Sequence, residues 1–337
     1  MSIEIQKDSI IYILCPAHFA TGGPEALHQL GKALSDFGYN VFMHYLDNEM
    51  GSIDNPVNPN YEQYGVKYSQ ILNNSSKNII IFPETYCIHL WDKKYSNLKK
   101  HVWWLSVTNF FIVLKDYTAF YESKKNFKIR NFFSPFPIPT VKRVRKSKAK
   151  HIAHSFYSLE FLKENKFDIE GQISDYMSES FRKGENYRGF KEDIIIYNPK
   201  KNGEFLEKIR RQNQQYKWIP LENMTPEQVS QNMKKAKVYI DFGYHPGKER
   251  MPREACMMDC CLIIGKKGSA AYKEDMPILE KYRYDFEDEC IPTITETIKE
   301  CMENYISSSG DFQDYKAILL KEKETFENAV QLLFKKI

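Results

Sequence analysis

No stretch of this chain reaches the roughly eighteen consecutive apolar residues of a membrane span, so no transmembrane helix is expected. The opening MSIEIQKDSI has no apolar run of the secretory type, and a cytosolic protein is the simplest expectation. The G-x-G-x-x-G dinucleotide fingerprint is missing after the first strand. An excess of one charge is missing too: 48 Lys and Arg against 44 Asp and Glu leave +4, too mild to announce a nucleic-acid binder. Disulfide spacing is absent, because seven cysteines are an odd number scattered through apolar segments, which suits buried free thiols in a reducing compartment. Cys256, Cys260 and Cys261 lie close together, but no second Cys or His pair stands at zinc spacing, so no metal is expected. No internal repeat of fixed period is visible.

What is present is a soluble globular composition, 42% hydrophobic and 27% charged, over 337 residues, a length that suits two domains. In the first half, strands are expected at 9–15, 41–46, 78–84, 101–109 and 151–155. Helices are expected at 24–37, with Ala26, Leu27, Leu30, Ala33 and Leu34 at helical spacing and Gly38 closing it, and at 156–165. The stretch 48–64 reads as loop. Glu84, Ser106, Thr108 and Asn109 at strand tips are cleft candidates if the sheet is parallel. The polar stretch 168–190 reads as the interdomain connection. The second half opens with a strand at 193–197, a loop at 198–203 and a helix at 204–212. A strand at 216–221 follows, then a helix whose capping box is Thr225 with Gln228, Pro226 taking its first position. Helices at 293–305 and 314–335 finish the chain.

The chain is organised around residues 237–271. An alternating, β-branched run at 238–242 reads as a strand, and the apolar run 260–264 as a buried parallel one. Between them lie a charged loop, 243–251, and a helix with Pro252 in its first turn. In open α/β sheets ligands sit at the carboxyl ends of strands, where helix N-termini favour anions. Lys248, Arg250 and Arg253 at such a point ask for phosphate.

Strand, loop, P-x-E-A helix, and an apolar strand ending in Gly-Lys-Lys-Gly-Ser resemble the donor-binding segment of GT-B glycosyltransferases, in particular the retaining, glycogen-synthase-like families. Gly22-Gly23-Pro24-Glu25 ahead of an amphipathic helix resembles their first loop. The resemblance implies an α/β chain of two Rossmann-like doubly wound domains facing across a cleft. They would span 1–168, joined by a returning C-terminal helix at 314–337, and 169–313. It implies a hexosyltransferase-type enzyme moving sugar from a nucleotide-diphosphate donor to a glycan or lipid-linked acceptor, with retention and without metal or other cofactor. No D-x-D triplet occurs in any expected loop, in keeping with that. The donor diphosphate would lie on Lys200, Lys201, Lys248 and Arg250 with Gly22 and Gly23 opposite, the ribose on Glu254, and the sugar near His245 to Glu249 and Gly268-Ser269.

The family usually carries a second glutamate eight positions ahead of the one Glu254 matches, and here that position is Pro246. The nearest acid, Glu249, is five positions away, which marks a divergent branch. Glu249, His154 and His18 are the candidate catalytic groups, the histidines because their ordinary pKa suits proton transfer. A sugar-nucleotide epimerase of the same fold and a noncatalytic nucleotide-sugar-binding partner stand as alternatives. Six basic residues in 142–150, beside the aromatic segment 131–137, would suit an anionic membrane surface; a solvated loop flanked by core aromatics is the alternative.

Overall fold

The structure, a computed structural model, describes residues 2–46, 55–125, 138–182, 187–201 and 203–337. The aromatic segment 131–137, residues 48–54 of the polar loop, Gly184 and Asn202 lie outside them. The chain divides into two units, Met1–Asp175 with Glu324–Ile337, and Tyr176–Lys323.

The first unit contains strands β1 (Ile3–Ile5), β2 (Ile10–Pro16), β3 (Asn40–Leu46), β4 (Ile79–Pro83), β5 (Lys99–Trp104), β6 (Lys150–Ala153) and β7 (Ile169–Gln172). Its helices are α1 (Gly22–Asp36), α2 (Val107–Lys125), α3 (Val141–Lys146) and α4 (Phe156–Glu164). Strands β2 to β7 form one parallel sheet in the order β3-β2-β4-β5-β6-β7. Ile79, Ile80, Ile81 and Phe82 are all fully buried, as a parallel strand covered on both faces requires. The apolar stripe of α1 is buried at the five predicted positions, and Gly38 ends the helix in the left-handed region at φ +75°.

Four local expectations need correction. The polar stretch after residue 168 is not all connection, because β7 extends the sheet by one edge strand; an edge strand needs no continuous apolar run, so it left no signal. The strand expected at 101–109 ends at Trp104, and Thr108 and Asn109 lie in the first turn of α2, where the Ser106 hydroxyl accepts the Asn109 amide at 3.0 Å. Within 142–150, residues up to Lys146 are helical, capped by Thr140 and anchored by fully buried Val144, before β6 begins at Lys150. The single final helix is two helices followed by a strand, Phe334–Lys336, that pairs in parallel with β1.

The second unit contains β8 (Glu192–Tyr197), β9 (Lys217–Pro220), β10 (Ala236–Asp241), β11 (Cys261–Gly265) and β12 (Arg283–Tyr284), all parallel in the order β12-β11-β10-β8-β9. Its helices are α5 (Glu204–Gln212), α6 (Pro226–Lys235), α7 (Arg250–Met257), α8 (Ile291–Glu303), α9 (Tyr305–Gly310) and α10 (Gln313–Leu320), and α11 (Glu322–Leu333) starts here. The Thr225 capping box is formed: Thr225 Oγ1 accepts the Gln228 amide at 3.3 Å and Gln228 Oε1 accepts the Thr225 amide at 2.8 Å. Strand order reverses between β8 and β10, so the loops leaving their carboxyl ends flank a switch point of the kind where doubly wound sheets bind ligands.

Candidate functional site

At the switch point of the second unit three loops meet. Asn198–Lys201 leaves β8, 242–249 leaves β10, and 266–269 leaves β11. Two glycines set how closely they approach. A Cβ on Gly243 would lie 2.4 Å from Lys201 Cβ, and one on Gly268, at φ +63°, would lie 2.0 Å from the His245 carbonyl oxygen. His245 and Gly268 form an isolated parallel bridge; the Ser269 amide donates to His245 O at 2.9 Å and the Ser269 hydroxyl to Gly247 O at 2.5 Å. Two predicted stretches 23 positions apart, at His245 and Gly268-Ser269, are thus joined through their backbones.

Asp241, the last residue of β10, organises the turn from below. It is buried, accepts the Gly243 amide at 2.7 Å and the Tyr239 hydroxyl at 2.9 Å, and lies 3.5 Å from His245 Nε2. Burial pushes its carboxyl up, but the His245 ring, the Gly243 amide and the Lys201 charge outweigh that and hold it below the usual range. The His245 ring is fully buried against Asp241, so what this residue offers at the loop surface is its backbone. Sequence reading had given Asp241 no role; a carboxylate two positions before a glycine at a strand end was the available signal.

The cations are partly committed. Lys201 forms an ion pair with Glu249, and Lys248 Nζ lies 2.9 Å from Glu322 Oε1. Fully buried Arg253 donates from Nη1 to both Glu322 oxygens at 3.1 Å, from Nε to Glu249 O at 3.0 Å and from Nη2 to Lys248 O at 3.2 Å. Arg253 therefore holds the loop rather than facing a ligand. Arg250 opens α7 and Glu254 lies one turn on, both half-buried. Lys200 is exposed, its amide donating to Asn198 Oδ1 at 3.1 Å. Glu322 was invisible in the sequence because it lies 69 residues beyond Arg253.

Gly22 and Gly23 belong to the first unit, in the first turn of α1. Beside them Glu25 is buried and accepts the Tyr64 hydroxyl at 2.8 Å. That sheet reverses order between β2 and β4, which places the α1 start and Glu84 on either side of its switch point. His18, exposed at φ +62°, sits in the loop after β2, while His154 is buried after β6 with Nε2 3.3 Å from Asp175 Oδ1.

Glu84 is 2% exposed and accepts the Leu105 amide at 2.8 Å. Burial pushes its carboxyl up to about 8, against the backbone amides of Glu84, Leu105 and Ser106, which pull it down. A folded pKa above the ordinary 4.5 means that the group's contribution to stability is complete below 4.5 and is lost as pH rises toward 8. Glu84→Gln is expected to remove this slope, at most about 1.4 kcal/mol per pH unit. Denaturant unfolding from pH 4 to 9 checks it, and parallel profiles for the two proteins would contradict it.

No protein-family model matches the sequence, and no curated protein matches it. Solved structures do. HepE of Anabaena, crystallised with UDP-glucose, aligns over 95% of this chain and 98% of its own at a TM-score of 0.61 and 10% identity. A glycosyltransferase from Rickettsia africae aligns over 98% of this chain and 95% of its own at 0.55 and 12%. WaaG, a glycosyltransferase involved in lipopolysaccharide biosynthesis, aligns over 96% and 99% at 0.50 and 10%. Two parallel, doubly wound sheets and these alignments over nearly the whole chain give this protein the GT-B fold of nucleotide-sugar glycosyltransferases.

Proposed function

We propose that the chain is a glycosyltransferase that moves a sugar from a nucleotide diphosphate to a glycan or lipid-linked acceptor, with retained configuration and without metal, in surface polysaccharide or glycoconjugate assembly. The observation that carries the reading is the meeting of the Lys201, His245 to Glu254 and Gly268-Ser269 segments at the switch point of the second sheet. Backbone amides at the start of α7 and the nearby lysines suit a diphosphate, whose leaving-group charge grows in the transition state. Glu254 is the proposed ribose partner, and Arg250 and Lys200 further diphosphate contacts. The carboxyl-edge loop of the first unit, with Gly22 and Gly23, is the proposed acceptor-side element. HepE in complex with UDP-glucose supports the donor class by its fold.

Among the described residues no helix is long and apolar enough to cross a membrane. The exposed Lys142, Arg143, Arg145 and Lys146 of α3 support peripheral contact with an anionic cytoplasmic surface.

Turnover tests the proposal. Nucleoside diphosphate release from UDP-, GDP-, ADP- and CDP-sugars in EDTA should require an acceptor glycan, and the product should keep the donor's anomeric configuration by NMR. Free nucleotide without a glycosylated product would favour the epimerase; donor binding without turnover would favour the noncatalytic partner.

Glu249 competes with a diphosphate for Lys201. Glu249→Gln is therefore expected to tighten nucleoside diphosphate binding about two- to fivefold, the worth of a partly accessible ion pair. Calorimetric titration checks this, and weaker binding would instead mark Glu249 as a donor contact.

A further inference from the structure

The first unit holds a cavity of about 750 Å³ at the edge of the sheet opposite the proposed acceptor loops. It opens where the strands begin. Lys99, Lys100 and His101 at the start of β5, Lys150 at the start of β6 and Glu170 of β7 line it. The end of α3 and the turn after it add Lys146 and Lys148. Apolar surface comes from Ile3, Leu90, Trp91 and Leu98.

Five lysines face this space against two glutamates, Glu4 and Glu170. Two of the five are engaged: Lys100 Nζ donates to Leu90 O at 2.5 Å, and Lys150 pairs with Asp168. Lys99, Lys146 and Lys148 are exposed. The independent sign of a ligand is His101. It is 5% exposed, lines the cavity, and its Nδ1 is buried with no hydrogen-bond partner among the described residues. A buried polar nitrogen without a partner is unfavourable, and a ligand that bonds to it would remove that cost. Burial, together with the Lys150 and Lys99 charges, lowers the His101 pKa to about 4. The ring is neutral at physiological pH and offers a hydrogen bond instead of a charge.

We propose that this cavity is a second ligand site, taking a phosphate ester whose anionic group lies among Lys99, Lys146 and Lys148, accepts a hydrogen bond from His101, and whose organic body rests on Trp91 and Leu98. Soluble phosphorylated metabolites and phospholipid headgroups share this chemistry. The site belongs to the first unit and the donor loops to the second, and it stands without the sugar-transfer reading. It shares Lys146, Lys148 and Lys150 with the basic segment proposed to meet the membrane, so the variants below probe the cavity's own edge.

The probes are glycerol 3-phosphate, titrated calorimetrically into the full chain, and vesicles of phosphatidylglycerol or phosphatidylcholine, assayed by flotation. The expected result is saturable binding of glycerol 3-phosphate at one site, weakened about tenfold or more by Lys99→Ala with Lys148→Ala and unchanged by Glu254→Ala. Both lysines are exposed, and an unchanged melting temperature verifies folding. Flotation with phosphatidylglycerol alone, lost in the double variant, identifies the lipid source. No binding of either probe overturns the proposal, as does binding that the double variant leaves intact; vesicle binding of the latter kind would leave the membrane-contact reading standing.

Discussion

Glu322→Ala is expected to destabilise the second unit by about 3–5 kcal/mol, because it removes a buried carboxylate paired with a fully buried guanidinium. Arg253 is 0% exposed and Glu322 5%, and both carboxylate oxygens are engaged by Arg253 Nη1. The backbone carbonyls of Lys248 and Glu249 also accept from Arg253. For a unit of this size the loss corresponds to a fall of roughly 10 °C in its thermal transition. The consequence reaches the candidate site, since the same arginine fixes the loop through Lys248 and Glu249 and the start of α7. Donor affinity should fall with stability. Lys248→Ala is the contrast: its half of the cluster is more accessible, and a loss under about 1 kcal/mol is expected. Replacing Arg253 by Met together with Glu322 by Leu should restore part of the lost stability, because the buried guanidinium goes together with its Glu322 partner. Circular dichroism melts of the four proteins provide the measurement. A Glu322→Ala transition within a degree or two of wild type would contradict this account.

Gly268→Ala is the second large effect. The new methyl would sit 2.0 Å from the His245 carbonyl oxygen, on a backbone with φ +63° and ψ −134° that side chains rarely adopt. Strain of about 1–3 kcal/mol adds to loss of the pairing between the His245 and Gly268 segments. Donor binding should weaken at least tenfold if those segments hold the sugar and diphosphate. Gly310→Ala is the control. Nothing lies within 4 Å of a Cβ there, the residue ends α9, and the change should be neutral or slightly stabilising. Equal behaviour of the two variants would show that the loop junction tolerates a side chain and does not matter for binding.

The parallel strands were readable because runs such as 79–82 and 261–264 are continuously apolar, and the helices because their caps and stripes are local. The short edge strands β7 and β12 and the pairing of β1 with Phe334–Lys336 were not, since two to four residues are too few to carry a periodic signal. At the site, the residue types that suggest phosphate were visible, but their commitments were not. Arg253 looked like a ligand and is a buried strut; the His245 ring turns inward to Asp241; Lys201 and Lys248 each have a carboxylate partner. Three of these four partners lie 48 or more positions away and the fourth, Asp241, lies beneath the loop, where neither spacing nor composition points.

Calorimetric titration in EDTA, with UDP-, GDP-, ADP- and CDP-linked sugars, tests the central claim most directly when wild type is compared with Glu254→Ala. One donor should bind the wild type without metal, and Glu254→Ala should weaken it about tenfold or more, on the order of 1.4 kcal/mol, while leaving the fold intact. Failure of every nucleotide sugar to bind, or equal affinity in the two proteins, would contradict a donor site at the carboxyl edge of the second sheet.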